Sequence, residues 1–249
     1  RYILSRLAGT VERVREHLEA YNFNLASEEL YAFTWHDYCD WYLETAKIRL
    51  RETPQDGVKG VLYHVLKAVI RLLHLFVPFI TEEIWQTLGE EPASISIAPF
   101  PQPGKRDEEA EREMAGFQEI VSSVRAIRAG LNVPQKARVT VLLKTDNPDL
   151  KRIVMEKVDA LNSLTGAESW TVGEGISPPP GAARQVLTDA EVFVPLADLI
   201  DIDAERERLT AELARVEADL AKVETTLKNR AFLSRAPAAV VDKEREKEA

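Results

Sequence analysis

A single cysteine, Cys39, stands among 249 residues, so no disulfide framework is available and a reducing, cytoplasmic setting is expected. Long apolar runs are also lacking. The most apolar stretch, Val61 to Ile80, is broken by His64, Lys67, Arg71 and His74, which excludes a membrane span. The 11 glycines nowhere form a phosphate-cradling loop or a dinucleotide fingerprint. Neither a serine elbow nor a paired metal-ligand motif occurs. There is no signal peptide, and the first residue is Arg1 rather than methionine. Glu244 to Ala249 run on as helix-forming charge without a glycine or proline stop. Both ends therefore read as cuts in a longer protein. Positive charge is in deficit, 32 Lys and Arg against 41 Asp and Glu for a net −9, which argues weakly against a dedicated nucleic-acid binder.

That average conceals two windows without acids. Between Glu119 and Asp146 lie Arg125, Arg128, Lys136, Arg138 and Lys144; between Glu224 and Asp242 lie Lys228, Arg230 and Arg235. Such windows in an acidic chain form local patches suited to phosphate. Chance clustering on solvated faces is the competing explanation.

The chain divides into parts. Residues 1–91 read as helix after helix. Leu4, Leu7, Val11, Val14 and Leu18 form an amphipathic stripe. A second helix, capped by Asn24 or Ser27, continues through Tyr31, Trp35, Tyr38 and Tyr42 and stops before Pro54. A third runs from Val58, with His64, Lys67, Arg71 and His74 as one narrow polar stripe on an apolar cylinder. Pro78 interrupts it, and Thr81 to Leu88 restarts it. This is a helical bundle. Residues 92–106 contain Pro92, Pro99, Pro101 and Pro103 and read as an extended connector.

Residues 107–200 alternate. A helix begins at Asp107 with a seam from Met114 to Leu131. A strand follows over Arg138 to Thr145. A helical face from Pro148 to Leu161 precedes strands at Glu168 to Val172, Arg184 to Leu187 and Glu191 to Leu196. That alternation predicts a small α+β domain. In residues 201–249, Leu209, Leu213, Val216, Leu220, Val223 and Leu227 alternate spacings of four and three, a heptad seam. The helix carrying them reaches roughly 40 Å. A break before Pro237 suggests a returning arm, but too few residues remain to cover the seam, so the expected hairpin is truncated or its first helix has another partner.

Nothing in the chain resembles an active site, and neither a catalytic residue nor a metal ligand is assigned. His36, Asp37, Cys39 and Asp40 point in several directions around one helix, which suits bundle packing better than a metal. The segment Trp35 to Glu44 is more suggestive, because it alternates large rings with acids. Asp37, Asp40, Glu44 and Lys47 share a helical face where carboxylates accept from base amino groups and rings stack on splayed bases. A purely structural aromatic core is the alternative.

The run Phe33-Thr34-Trp35-His36-Asp37-Tyr38-Cys39-Asp40-Trp41-Tyr42-Leu43-Glu44 resembles the signature helix of the anticodon-binding domain in class I aminoacyl-tRNA synthetases of the valine, isoleucine and leucine group. Tyr2 to Leu7, Tyr21 to Asn24 and Leu73 to Trp85 are similar to the same domain. Val124 to Ala129 leading into Asn132-Val133-Pro134 resembles the valyl-tRNA synthetase family in particular. So does Leu227 to Phe232 with Ala236 to Val241, at the tip of that family's C-terminal coiled coil. The family's HIGH and KMSKS signatures are missing. The resemblance therefore implies the tRNA-holding portion of a valine–tRNA ligase whose aminoacylation and editing domains, with ATP and magnesium, lie in the parent protein. This chain itself would hold no cofactor.

The resemblance further implies that the bundle takes the anticodon stem and loop of tRNA(Val). Trp41 or Phe79 would stack on bases, Asp40 and Glu44 would accept hydrogen bonds, and Lys47, Arg49 and Arg51 would meet phosphates. Arg125, Arg128, Lys136, Lys228, Arg230 and Arg235 would clamp the tRNA backbone. The expected partner is tRNA alone, with a monomeric, cytoplasmic protein and no membrane or DNA. An isoleucine or leucine ligase, and a coiled-coil module seeking a protein partner, stand as alternatives.

Overall fold

The structure, a computed structural model, describes residues 1–52, 56–196, 199 and 202–228. It is mainly helical, with one four-stranded sheet, as the sequence predicts. Helix α1 (Tyr2–Glu19) buries Ile3, Leu7, Val11 and Val14 on the anticipated stripe. The chain turns at Tyr21 (φ +59°) and descends as one long helical rod. Helix α2 (Phe23–Ala32) leads into a π-helical segment (Phe33–Leu43), and that into α3 (Glu44–Glu52).

The π segment departs from the uniform α-helix expected through Tyr42. Phe33 and Tyr38, five apart, are buried in the bundle core, with Cys39, Tyr42 and Leu43 partly buried against it. The interval between the two buried rings suits the i→i+5 turn. Tyr31 and Trp35, four apart, are consequently left on the exposed side.

Helix α4 (Asp56–Leu73) returns alongside α1, burying Val58, Val65, Ala68, Val69, Ile70 and Leu72. Its polar stripe has a specific neighbour. Lys67 pairs with Glu90, Arg71 donates to the Pro99 carbonyl at 3.3 Å, and His74 bonds Thr81 and Ser96. The stripe therefore faces α5 (Pro78–Leu88) and the connector. The Thr81 hydroxyl lies 2.8 Å from His74 Nδ1 and 2.9 Å from the Val77 carbonyl.

The proline-rich connector is strapped onto the bundle along most of its length. Trp85 Nε1 donates to Pro92 O (2.8 Å), and Ile95 is buried beside Trp85 and Ile70. Arg15 lies over the Phe100 ring and donates to Pro101 O (3.2 Å). The strap ends where Asp107 N donates to Ser5 Oγ (2.7 Å). There Asp107 caps α6 (Glu108–Gly130) by accepting from Ala110 N, with Glu108, Glu109 and Glu111 in the first turn.

Beyond α6, strand β1 (Val139–Lys144) crosses through α7 (Pro148–Glu156) and α8 (Val158–Thr165) to the parallel strand β2 (Ala167–Gly173). The single helical face expected from Pro148 to Leu161 is broken. Lys157 leaves helical geometry (φ −121°, ψ 25°) and its ammonium pairs with Glu113 of α6. Strands β3 (Ala182–Val186) and β4 (Glu191–Pro195) complete an order of β2-β1-β4-β3, with β4 antiparallel to both neighbours. Phe117, Ile120, Val121, Val124 and Ile127 of α6 join Val139, Val141 and Leu143 in this domain's core.

The last helix, α9 (Ile202–Lys228), carries the heptad seam. Leu209, Leu213, Val216 and Leu220 are between 39% and 59% exposed, so the seam is open at these positions. The expected returning arm falls in residues 229–249, outside the described residues.

Candidate nucleic-acid interface

Helices α1 and α4 run side by side, and Arg15 and Arg71, near their C-terminal ends, both hold the connector. The α1–α2 turn and the α4–α5 turn therefore share one end of the bundle. Exposed apolar side chains collect there: Tyr21, Phe23, Leu75, Val77, Phe79 and Ile80. Phe79, one residue into α5 after Pro78, is 90% exposed. Tyr21 and Phe23 meet edge to face with centroids 6.2 Å apart. Farther along the rod, Tyr31 and Trp35 stack nearly parallel, 6.3 Å between centroids. Rings exposed in this way are the usual platform for unpaired bases.

The other proposed base-reading residues lie elsewhere. Phe79 sits at the open end, whereas positions 40–51 are toward the far end of the rod, near the sheet domain. About 1.5 Å per residue along a helix separates position 23 from 41 by roughly 27 Å. Trp41 is half-buried, its edge on Phe117 of α6 (6.4 Å, 75°) and Arg125 over its face at 5.9 Å. Asp40 is bonded to His36 at 3.3 Å, and Glu44 accepts from Lys47 at 2.6 Å. Arg49 lines a cleft of about 450 Å³ between bundle and sheet domain, beside Tyr42, Met114 and Lys157. Arg51 is exposed near the end of α3.

Much of the signature helix is occupied with packing. Asp37 accepts from Arg6 Nε (3.1 Å) and Nη2 (3.0 Å) and from the Tyr2 hydroxyl. Tyr38 donates to Leu62 O (3.1 Å), and burial pushes its phenol up to about 12. The face expected to carry Asp37, Asp40, Glu44 and Lys47 toward bases is thus engaged within the protein, Asp37 by Arg6 and Tyr2, Asp40 by His36 and Glu44 by Lys47, while Tyr31 and Trp35 are exposed on the outside.

Four of the five cations of the first acid-free window meet, while Lys144, at the other end of β1, lies beside Asp189 and Glu191. Arg125, Arg128, Lys136 and Arg138 line a cleft of about 750 Å³ with Val133, Gln135, Ser163, Thr165 and Gly166, and among the described residues no carboxylate lines it. Arg125 Nε donates to Leu164 O (2.9 Å). Arg128 donates to Ala137 O (3.0 Å), Pro134 O (2.9 Å) and Gln135 O (3.3 Å). Arg138, a cation of the acid-free window that the expected tRNA clamp leaves out, stands here beside Lys136. In the arm, Arg208 donates to Gly130 O (3.4 Å), which sets the root of α9 beside this cleft. Lys228 ends α9, its ammonium on Glu224 (2.8 Å). Arg230 and Arg235 lie outside the described residues. Among the described residues no His, Cys, Asp and Glu group is arranged to hold a metal ion, and no helix is long and apolar enough to cross a membrane.

Comparison with known proteins adds to this geometry. The family model "Anticodon-binding domain of tRNA ligase" matches residues 1–143, running past the connector through α6 into β1. The model "Valyl tRNA synthetase tRNA binding arm" matches residues 201–249. A valine–tRNA ligase of Carboxydothermus hydrogenoformans is 41% identical over 252 residues, covering 99% of this chain and 28% of the relative. Those of Oceanobacillus iheyensis and Bacillus anthracis are 38% and 41% identical over 253 residues, covering all of this chain and 29% of each relative. The chain thus spans under a third of the length of these relatives.

Proposed function

The chain belongs to the anticodon-binding domain family of tRNA ligases, and from that premise we propose that it is the tRNA-holding part of a valine–tRNA ligase. The parent would join valine to tRNA(Val) with ATP and magnesium in domains outside these residues. One observation carries the reading. Both family matches occupy the chain in order, and identity near 40% to valine enzymes runs through the α+β domain between them.

In this reading the aromatic end of the bundle, with Phe79 foremost, stacks on anticodon bases. Asp40 and Glu44, paired with His36 and Lys47 and far along the rod from Phe79, stand outside that platform, and Arg49 and Arg51 meet backbone nearer the sheet domain. Arg125, Lys136 and the arm residues Lys228, Arg230 and Arg235 hold the tRNA body, and Arg128 fixes the loop that carries Lys136. Phosphate contacts supply most of the affinity and base contacts the identity. The chain acts in the cytoplasm as a monomer whose partner is tRNA(Val).

The test is binding to tRNA(Val) and to the same tRNA with a changed anticodon, across a salt series. Binding that weakens with salt and with the anticodon change supports both roles. Loss of all salt-sensitive binding overturns the assignment. The open seam Leu209 to Leu220 favours a second reading, a coiled-coil face for a protein partner. Size-exclusion chromatography at several concentrations decides it, since a partner-seeking seam self-associates and a tRNA arm stays monomeric.

A further inference from the structure

We propose that the cleft bounded by the end of α6, the loop 133–138 and the α8–β2 turn seats a stretch of tRNA sugar–phosphate backbone. Lys136 and Arg138 are its contacting cations, and Arg128 is a positioning residue that fixes the loop carrying them. This rests on the reading of the chain as a tRNA holder and extends it to a site and a division of labour.

Three observations converge. First, the cleft keeps its charge. Many cations of this molecule are paired with carboxylates: Arg1, Arg6, Arg13, Lys67, Arg106, Arg152 and Lys157 all are. Arg125 and Arg128 bond only neutral carbonyls among the described residues. Lys136 and Arg138 are exposed, with no carboxylate lining the cleft. Four cations therefore share one wall of a molecule whose net charge is −9, and the local field favours an anion.

Second, Arg128 grips the peptide that separates the two contacting cations. Its Nη1 holds the carbonyl of Ala137, the residue between Lys136 and Arg138, while Nη2 holds Pro134 and Gln135. A further backbone bond from Ala137 N to Pro134 O (3.0 Å) closes the turn. With both terminal nitrogens committed to carbonyls, Arg128 orients the loop. Gly166 leaves room for it, since a Cβ there would come within 3.3 Å of Arg128 Nη1.

Third, no aromatic ring lines the cleft, so bases find no stacking partner and the ligand is backbone of any sequence. The root of α9, tied to Gly130 O, places this seat between the bundle and the arm.

The experiment uses the whole 249-residue chain, tRNA(Val) and its anticodon-altered form, with affinities measured from 50 to 200 mM salt. Lys136→Gln with Arg138→Gln is expected to flatten the slope of log affinity against log salt by about 1.8, at about 0.9 per neutralised phosphate. It should weaken low-salt binding on the order of tenfold, equally for both tRNAs. Arg112→Gln, roughly 20 Å back along α6, leaves the slope unchanged. Arg128→Lys keeps the charge but cannot bridge three carbonyls. It lowers affinity in the parent chain and has no further effect once Lys136 and Arg138 are gone, a result that loss of stability alone would not produce. Unchanged salt dependence in the double variant, or an equal loss with Arg112→Gln, overturns the cleft assignment while leaving the tRNA reading intact. Absence of salt-sensitive binding by the unaltered chain overturns that reading and the cleft together.

Discussion

At Gly166 two constraints coincide, a left-handed backbone (φ +74°) and an arginine within reach of any side chain placed there. Gly166→Ala should cost about 1–2 kcal/mol, because both the conformation and the Arg128 contact resist a methyl; urea unfolding measures it. Thr34 makes an opposite case. Its Oγ1 is buried and has no hydrogen-bond partner among the described residues. Thr34→Val removes an unpaired hydroxyl at nearly constant volume, so the chain should gain up to about 1 kcal/mol. A loss of stability would show that the hydroxyl has a partner. Neither position was legible beforehand. The left-handed turn at Gly166 closes α8 and is the ordinary place for a glycine after a helix, but the arginine beside it and the unpaired oxygen of Thr34 depend on packing that no local pattern marks.

Among the elements, the π segment shows how spacing selects geometry. Phe33→Ala should cost about 3–4 kcal/mol, since Phe33 is fully buried, whereas Trp35→Ala, two residues on and exposed, should stay within about 0.5 kcal/mol. Comparable losses at both sites would mean that an ordinary α-helix replaces the wider turn. The presence of the helix was legible from its apolar residues, but its width was not, because Tyr31, Trp35, Tyr38 and Tyr42 also fit an α pattern. The same ambiguity affected Trp41. Ring and acid alternation marked the helix as special, yet only the packing of Phe117 and Arg125 against the indole reveals that Trp41 ties the bundle to the sheet domain. Some starts were legible: Asp107 and Pro148 begin their helices as their backbone chemistry requires. Pro78, expected only to interrupt, itself opens α5 three residues before Thr81, and Asn24 and Ser27, expected as caps, lie inside α2, which starts at Phe23.

At the scale of the whole molecule, bundle and sheet domain are held together through carboxylates. Burial works against ionisation of Glu111, but bonds from Arg106 and Ser5 outweigh it and hold the carboxyl below its ordinary 4.5. Glu29 is likewise disfavoured by burial yet kept low by Arg13 and Thr10. Groups held low contribute stability that is complete above pH 4.5 and is lost as the pH falls below that value. Urea midpoints should therefore be level from pH 7 to 5 and then drop toward pH 3. Glu111→Gln should be less stable at pH 7 and show a shallower fall. Which acid would meet which base across a hundred residues was not legible, although a mainly helical chain with a small α+β part was anticipated from apolar spacing. The basic cleft fell between these cases, since its charges were visible as a window and their convergence depends on the fold.

The bond from Asp107 N to Ser5 Oγ joins residues 102 positions apart. During synthesis at about 5–20 residues per second, Ser5 is made some 5–20 seconds before its partner. The joint between the two bodies is therefore closed late, after most of the bundle has had time to collapse.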